Sequence, residues 1–185
     1  MLVDKSVSEL LDAFASSAPT PGGGSASALA GAAGASLLLM VARMPKTKTA
    51  PETDRAPLDA AAAALAPIAR ELRDLIDRDT AAYEEVVAAY RLPKSTDEEK
   101  SARREAIQRA MRSAVEAPLA VTRACRAALD QAAIVERHGN PNAASDVIVA
   151  KELLKAGLNG ARANVEINLP SVIDQAYVER VKAQL

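Results

Sequence analysis

Aromatic residues are scarce in this sequence: among 185 residues there are one Phe, three Tyr and no Trp, although 49% of the chain is hydrophobic. The core must therefore consist mostly of Ala, Leu and Val, which suit closely approaching helices. β-Sheets favour aromatic and β-branched side chains, and no segment alternates between apolar and polar residues as a half-buried strand does. The composition predicts an all-α protein.

Cysteine and histidine are represented by single residues, Cys125 and His138. One cysteine excludes an intrachain disulfide, and one Cys with one His is too few ligands for a usual zinc site. Cys125 lies in an apolar helical segment, so we interpret it as a buried thiol rather than a nucleophile. His138 precedes a glycine at a predicted helix end, and we assign it no catalytic role.

The net charge is close to zero, since 23 basic and 24 acidic residues give a formal charge of -1. No basic run is interleaved with aromatic residues, so no nucleic-acid partner is expected. The N-terminus lacks the basic and apolar regions of a secretory signal, and a cytoplasmic location is expected. The uncharged run over residues 26–42 is slightly short for a membrane span, and glycine and serine dilute it. We interpret it as a helix buried in a bundle, with no membrane partner.

Helical periodicity, capping patterns and prolines predict about six helices. Pro67 is expected to kink or break the third helix, and Pro118 to bend the fourth. A flexible connection with several prolines is expected around residues 45–57. We find neither a repeat nor a domain boundary, so the sequence predicts one domain over residues 1–185, an antiparallel helical bundle. The predicted helices cover about residues 7–18, 26–42, 57–90, 95–135 and 143–168, with a short last helix opened by Pro170 and Ser171.

Asp79 occupies an unusual position on the third helix. At about 100° per residue it falls near the centre of an apolar stripe, whereas the other charged residues of this helix point elsewhere. An ionised carboxylate on a buried stripe costs several kcal/mol unless it is paired or hydrogen-bonded. Asp79 is therefore either a structural partner of a neighbouring helix or a carboxylate placed in a cleft for proton chemistry. The stripe consists of Leu72, Leu75, Ile76, Tyr83, Val86, Val87 and Tyr90.

Polar residues also lie on the inward face of the fifth helix. Asp146, Asn164 and Asn168 are opposite a face of Lys, Arg and Glu, and two glycines on the inward side permit close backbone approach. These residues form either a functional site or a polar network in the core. For Asp146 a further alternative is that it only caps the first turn of its own helix.

A glycine-rich turn precedes the uncharged helix. Such a turn exposes backbone N–H groups to which polar or anionic ligand groups can bind. It lacks the Lys-Ser/Thr pair of a P-loop and the GxGxxG spacing of dinucleotide-binding folds, so it is a weak signal alone. The turn consists of Pro21, Gly22, Gly23, Gly24 and Ser25.

Four segments, taken in order, resemble one family. They are the turn at residues 19–25, residues 77–83 with the following Leu-Pro-Lys at 92–94, residues 139–146, and residues 164–169. Together they resemble the cyclodeaminase domain of formiminotransferase-cyclodeaminase and the free-standing methenyltetrahydrofolate cyclohydrolase of bacteria. The resemblance covers nearly the whole chain, and the order and spacing of the segments make it specific.

The resemblance implies an all-helical homodimer with a folate site in a cleft near the dimer interface. It matches Asp79 with the family's catalytic carboxylate, and no metal or redox cofactor is implied. Lys94 is implied as a partner of the folate's glutamate tail or of a site carboxylate. Further residues expected to bind the substrate or line its site are the glycine-rich turn, Asn140, Ser145, Asp146, Asn164 and Asn168.

This chain departs from the family in two places. Many relatives carry a Gly-Lys-Lys-Lys-Tyr-like segment after the second helix, where this chain has residues 43–48. That difference puts in doubt any role carried over to Lys46 or Lys48. The chain also ends at Leu185, short of a final helix that longer relatives have.

The resemblance leaves two reactions open. In a cyclohydrolase, water adds to the cationic bridging carbon of 5,10-methenyltetrahydrofolate and 10-formyltetrahydrofolate forms. In a cyclodeaminase, 5-formiminotetrahydrofolate closes to the methenyl compound and releases ammonia. Both pass through a tetrahedral carbon, so both can use one base and one acid, hypothetically Asp79 and Asp146. Because no formiminotransferase domain is fused to the chain, we favour the cyclohydrolase; a non-catalytic helical binding module is the third alternative.

Overall fold

The computed structural model describes residues 1–44 and 55–185, and over these ranges the protein has six α-helices and no strand, which confirms the all-α prediction. The predicted flexible connection, with Lys46 and Lys48, lies mostly outside the described residues. Pro67 and Pro118 lie inside helices that continue past them, so the predicted possible break at Pro67 is wrong. The helices are α1 (Val7–Ala15), α2 (Gly23–Arg43), α3 (Arg55–Tyr90), α4 (Asp97–His138), α5 (Ala144–Asn168) and α6 (Gln175–Lys182).

Two of the helix starts are set by local sequence. The side chain of Ser6 accepts a hydrogen bond from the backbone of Glu9, and the Glu9 carboxylate accepts one in return, which forms a capping box before α1. Thr96 and Glu99 form the same motif before α4. Both starts show the Ser/Thr-x-x-Glu spacing of a capping box in the sequence.

Helices α2 to α5 form a four-helix bundle in which chain neighbours run antiparallel. Helix α2 packs between α3 and α5, and α4 packs against the same two helices on the opposite side. Helices α2 and α5 touch at their backbones: a Cβ placed on Gly34 would lie 2.7 Å from the carbonyl oxygen of Ala150. Helix α2 is long and apolar enough to span a membrane, but over half of its most apolar window is buried. Its uncharged sequence serves here to pack it into the bundle.

Helices α3 and α4 are longer than their neighbours and extend beyond them. Helix α2 begins at Gly23, beside Asp79 of α3, whereas α3 continues to Tyr90, about 16 Å further along its axis. Helix α5 ends beside Ala114 of α4. Residues 80–90 of α3 and 97–107 of α4 therefore project as an antiparallel helical hairpin, which we call the arm; at its base, Gln108 and Arg112 of α4 bond to Ser171, Ile173 and Asp174.

The position of the N-terminal end of α2 explains why one sequence prediction is wrong. Leu72, Leu75 and Ile76 are buried as expected, at 0%, 3% and 3% exposure. Tyr83 and Tyr90 lie on the same stripe of α3 but are 40% and 51% exposed. The prediction of a buried stripe is therefore wrong for these two tyrosines, because α2 does not extend over α3 beyond Asp79.

Candidate functional site

Asp79 lies at the N-terminus of α2, where the glycine-rich turn enters the helix. The backbone N–H of Ser25 donates a hydrogen bond to Oδ2 of Asp79 at 3.1 Å. The Ser25 hydroxyl donates to the carbonyl oxygen of Ile76 at 2.7 Å and lies 3.3 Å from the hydroxyl of Thr80. Asp79 thus caps a helix other than its own, and Ser25 in the first turn of α2 is tied to α3 by both its backbone and its side chain.

Burial raises the pKa of Asp79, and the hydrogen bonds from the backbone and side chain of Ser25 oppose that rise only in part. Among the described residues, no Lys or Arg forms an ion pair with this carboxylate. Asp79 therefore holds a proton more firmly than an exposed aspartate does, and its negative charge has no basic ion-pair partner within residues 1–44 and 55–185. Such a carboxylate can act as a base and can stabilise a cation.

The glycine-rich turn is shaped by contact rather than by unusual backbone angles, since none of the described glycines has a positive φ. A Cβ on Gly24 would overlap the carboxylate of Asp79. A Cβ on Gly23 would lie 3.3 Å from Nδ2 of Asn164. Gly22 is the N-cap of α2, and Pro21 precedes it after a cis peptide bond. Glycine at position 24 is what allows α2 to start directly against the carboxylate.

Asn164 joins this group from α5. Its side chain is half-buried beside Gly23, and its Nδ2 donates to the carbonyl oxygen of Gly160 at 2.8 Å. Asn168, one turn further along α5, donates to the carbonyl oxygen of Ala114 at 3.0 Å and so fastens the end of α5 to α4. The structure therefore brings the turn, Asp79 and Asn164 together, with Asn168 one turn away.

Asp146 lies at the other end of the bundle. A Cβ on Gly139 would lie 3.0 Å from Cγ1 of Val41, so the segment from 139 to 146 follows the C-terminal end of α2. Ser25 and Val41 are about 24 Å apart along that helix. The expected pair of Asp79 and Asp146 is therefore not formed within one chain.

The other members of that segment have local roles. Oδ1 of Asn140 accepts a hydrogen bond from the backbone N–H of Asn142 at 3.0 Å, which caps a short 3-10 helix, Pro141–Ala143. Ser145 is exposed, and Asp146 is half-buried in the first turn of α5. The capping role considered for Asp146 is not observed, because Ala143 is the N-cap of α5 and no side chain of the described residues caps it; the carboxylate lies in the first turn, where the helix dipole favours a negative charge.

Lys94 also lies away from Asp79. It is exposed in the connection between α3 and α4, at the tip of the arm and beyond Tyr90. A direct partnership with Asp79 within one chain is excluded by that distance. Lys94 instead shares a shallow surface cavity with five residues of α4, namely Lys100, Arg103, Arg104, Ile107 and Gln108.

Sequence reasoning missed several residues around the site. Thr80 was not singled out although it directly follows Asp79, and Ser27 donates from its hydroxyl to the carbonyl oxygen of Gly23 at 2.6 Å. Asp77 points away from the site, and its carboxylate accepts hydrogen bonds from the backbone N–H groups of Leu2 and Val3. The small hydroxyl residues of α2 were the available signal, since they interrupt an otherwise apolar helix.

Metal ligands and the cysteine thiol were considered in the sequence analysis as possible site components. Within residues 1–44 and 55–185 there is no group of three or more His, Cys, Asp or Glu side chains placed to hold a metal ion. Cys125 is fully buried between Gly31 and Gly157, and burial raises the pKa of its thiol to about 12. Its interpretation as a buried thiol is confirmed.

Comparison with known proteins gives consistent results. The family described as formiminotransferase-cyclodeaminase matches residues 6–185. A methenyltetrahydrofolate cyclohydrolase from Methylorubrum extorquens is 41% identical over 97% of this chain and 86% of its own length. A formimidoyltransferase-cyclodeaminase from Sus scrofa is 34% identical, and this chain spans only 34% of its length. The crystal structure of formiminotetrahydrofolate cyclodeaminase from Thermotoga maritima is 29% identical, with a TM-score of 0.86 over 100% of this chain and 88% of that one.

Proposed function

This chain belongs to the formiminotransferase-cyclodeaminase family, and we propose that it catalyses the reversible hydrolysis of 5,10-methenyltetrahydrofolate to 10-formyltetrahydrofolate. The observation that carries the proposal is the carboxylate of Asp79, buried against the first turn of α2 with its charge unneutralised by Lys or Arg of the described residues. The similar protein from Methylorubrum extorquens supports this reaction, because the match extends over most of both chains.

The substrate suits such a carboxylate because it is a cation. The positive charge of the methenyl group is shared by N5, the bridging carbon and N10. An ionised Asp79 in a partly desolvated position stabilises that charge more strongly than a carboxylate in water does. The N–H of Ser25 holds Oδ2 in place, so the carboxylate is oriented before the substrate binds.

The chemical steps balance with one base. Water attacks the bridging carbon and forms a C–O bond while Asp79 accepts the proton that the water loses. The positive charge of the substrate is thereby neutralised, and the product of this step is a tetrahedral carbinol. The C–N5 bond then breaks as the C=O bond forms, N5 takes the proton from Asp79, and the carbinol hydroxyl releases its proton to solvent. The net result is one water consumed and one proton released.

Asn164 and the glycine-rich turn line the place where this carbon must lie. The amide of Asn164 presents a carbonyl oxygen and a second N–H hydrogen for pterin or carbinol groups, since the Nδ2 bond to Gly160 uses one hydrogen only. We assign Asn164 to substrate orientation. Gly23 and Gly24 bring the backbone of α2 close to Asn164 and to Asp79, Gly22 caps the helix, and Pro21 and Ser25 hold the two ends of the turn. Asn168 supports this wall through its bond to α4.

The cyclodeaminase reaction is the second candidate. The structurally similar protein from Thermotoga maritima is named as a cyclodeaminase, and so is one part of the relative from Sus scrofa. In that reaction N10 attacks the formimino carbon and ammonia leaves after receiving a proton. The formimino nitrogen takes one proton from solvent, and Asp79 can take the proton from N10 and return it to the same nitrogen as it departs as ammonia, so the same site serves both reactions.

We further propose that the protein is a homodimer formed through α2 and α5. The outer face that these two helices share is mostly apolar, with Arg43 and Glu152 at its edges, and its side chains Met40, Val149 and Ile167 are 41%, 50% and 78% exposed. Such a face favours association with a second copy. The other exposed residues of this face are Ala26, Ala33, Ser36, Ala156 and Ala163.

A two-fold axis near Ala33 would bring residues of one copy to the site of the other. Ala33 lies midway between Ser25 and Val41 on α2, so antiparallel packing of two α2 helices places the C-terminal end of one beside the N-terminal end of the other. The partner's Asn140, Ser145 and Asp146 then approach Asp79, and Asp146 becomes a second carboxylate that can pass the proton of the carbinol hydroxyl to solvent. In this arrangement the folate site is shared by two copies.

The direct test is the loss of methenyltetrahydrofolate absorbance when the purified protein is added, compared with buffer. We expect fast hydrolysis that falls by at least about 100-fold in Asp79→Asn, the size of a general-base contribution. Asp77→Asn is the matched control, because Asp77 is two residues away on the same helix and binds the N-terminus. If the wild-type protein does not accelerate hydrolysis, the cyclohydrolase proposal is wrong, and 5-formiminotetrahydrofolate is the next substrate to test.

A further inference from the structure

The apolar stripe of α3 continues past Asp79 into the inner corner of the arm. Tyr83, Val86 and Tyr90 lie within about 40° of Asp79 on the helix, so they face the same way as the catalytic carboxylate. Helix α2 covers this stripe up to Asp79 and no further. Asp79 is therefore the innermost point of a corner whose wall exposes two tyrosine rings.

Arg103 of α4 closes this corner at its outer end. Its guanidinium lies 5.5 Å from the centroid of the Tyr90 ring, and its Nε and Nη2 donate to the carbonyl oxygen of Tyr90 at 3.3 and 3.1 Å. Among the described residues, no acidic side chain forms an ion pair with Arg103. The guanidinium is thus held in one orientation by α3, with its positive charge available to a ligand.

We infer that this corner binds the p-aminobenzoylglutamate tail of the folate, with Tyr83 and Tyr90 beside the tail and Arg103 bound to a glutamate carboxylate. The inference deepens the proposed function and rests on it. It names the part of the substrate that the arm recognises and assigns a specificity-determining residue, Arg103, which sequence reasoning had not selected.

The dimensions of the tail agree with those of the corner. Tyr83 lies about 6 Å along α3 from Asp79, and Tyr90 about 16 Å. In a folate, the benzoyl ring begins at N10, which is bonded to the reacting carbon, and the first glutamate lies about 10 Å from that carbon. With the reacting carbon at Asp79, the benzoyl ring lies beside Tyr83 and the glutamate comes within reach of the long Arg103 side chain.

The basic residues near Arg103, towards the tip of the arm, also suit the negatively charged glutamate tail. Lys94 and Arg104 lie around the shallow cavity that Arg103 borders, so the tip of the arm is basic on this side. Lys100 in the same cavity is paired with Asp97 at 2.9 Å. Lys94 therefore takes the more distant carboxylates of a longer glutamate chain, while Arg103 takes the first.

Two substrates and two variants test the inference. Steady-state hydrolysis is measured with methenyltetrahydrofolate and with methenyltetrahydropteroate, which lacks the glutamate. In Arg103→Gln we expect KM for the folate to rise about fivefold, the upper end for a solvent-exposed ion pair, and KM for the pteroate to stay unchanged. The change falls on KM rather than on kcat. Arg109→Gln is the matched control on the same helix, since Arg109 lines a cavity on the opposite side of the arm with Glu85 and Leu92.

The possible results separate the inference from the proposed function. An equal rise in KM for both substrates, or an equal effect of Arg109→Gln, would overturn the assignment of Arg103 to the tail. If the wild-type protein hydrolyses neither substrate, the proposed function fails instead. Equilibrium binding of tetrahydrofolate and tetrahydropteroate to wild-type and Arg103→Gln protein then tests the tail site alone. Of these four combinations, wild-type protein with tetrahydrofolate should bind more tightly than the other three, because it alone has both Arg103 and the glutamate.

Discussion

The carboxylate of Asp79 in α3 accepts a hydrogen bond from the backbone N–H of Ser25 in α2, at 3.1 Å. One group therefore does two things: it completes the start of a neighbouring helix, and it places a partly buried negative charge beside the glycine-rich turn. The charge is partly buried, which is unfavourable for the folded protein, and it is the same charge that the proposed chemistry requires. Stability and activity are consequently opposed at this residue.

The first prediction concerns the pH dependence of the reaction. Asp79 must be ionised to accept a proton from water, and burial raises its pKa. As the pH falls, kcat/KM should therefore decline at a pH above the range in which an exposed aspartate titrates, about 3.9. A pH–rate profile measures this directly. A profile that stays flat down to pH 4 would contradict the assignment of Asp79 as the base.

The second prediction concerns stability. For a carboxyl group whose pKa is raised in the folded state, the folded protein binds the proton more tightly than the unfolded chain. That stabilisation is fully present below the unfolded pKa of about 4 and is lost as the pH rises through the raised pKa. Asp79→Asn imitates the protonated form, so it should stabilise the protein at pH 7 by about 1 kcal/mol.

The check is a pair of denaturation curves at several pH values. The stability difference between Asp79→Asn and wild type should shrink towards zero as the pH falls to about 4. Asp77→Asn should behave differently, because Asp77 holds the backbone of Leu2 and Val3 and its removal destabilises the protein. If Asp79→Asn is less stable than wild type at pH 7, burial of the charge is not what raises the pKa.

The third prediction concerns Gly24. Alanine is the better helix former by about 1 kcal/mol, so Gly24→Ala would be stabilising at an ordinary helical position. Here the added Cβ overlaps the Asp79 carboxylate, and we expect a net loss of about 1–3 kcal/mol together with most of the activity. Thermal unfolding and turnover measure the two effects.

A control is needed because instability alone lowers activity. Ala63→Gly on the exposed face of α3 should lose about 1 kcal/mol without touching the site, and its activity should stay at the wild-type level. Gly24→Ala in an Asp79→Ala background should cost less stability than in the wild type, since the carboxylate it meets is gone. Equal costs in both backgrounds would refute the proposed overlap.

The fourth prediction tests whether the site is shared between two copies. Asp79→Asn and Asp146→Asn should each be inactive as homodimers if both residues serve one site. When the two variants are mixed and exchange subunits, a heterodimer has one site with both substitutions and one with neither. Activity should then return, to about a quarter of the wild-type value at equal mixing, because half of the molecules regain one of two sites. No recovery despite proven subunit exchange would rule out a site shared in this way.

The sequence predicted well what depends on neighbouring residues. The capping boxes, the uncharged character of α2 and the angular position of Asp79 follow from patterns within single helices, and the structure has them all. What could not be predicted is how far one helix is shifted along its axis relative to its neighbour. A helical wheel gives the direction of a side chain but not its axial position, which is set by packing between distant segments.

The two largest differences from prediction have this single cause. The exposed Tyr83 and Tyr90 were expected in the core because the wheel does not reveal where α2 begins. Asp146 was paired with Asp79 because both face inward, although α5 runs antiparallel to α2 and carries Asp146 to the far end of the bundle. Asn164, at the other end of α5, lies beside Gly23 of the glycine-rich turn.

The backbone contact between α2 and α5 has a consequence for how this protein tolerates change over evolution. Where helices meet through long side chains, a substitution is absorbed by repacking, but at Gly34 and Gly157 the next atoms are carbonyl oxygens at 2.7 and 2.8 Å. An added methyl group there can only push α2 away from α5. Ser25 moves with α2, so its hydrogen bond to Asp79 would be disturbed as well. Substitutions at Gly34 and Gly157 would therefore be selected against through their effect on catalysis, although neither glycine is near the reacting carbon.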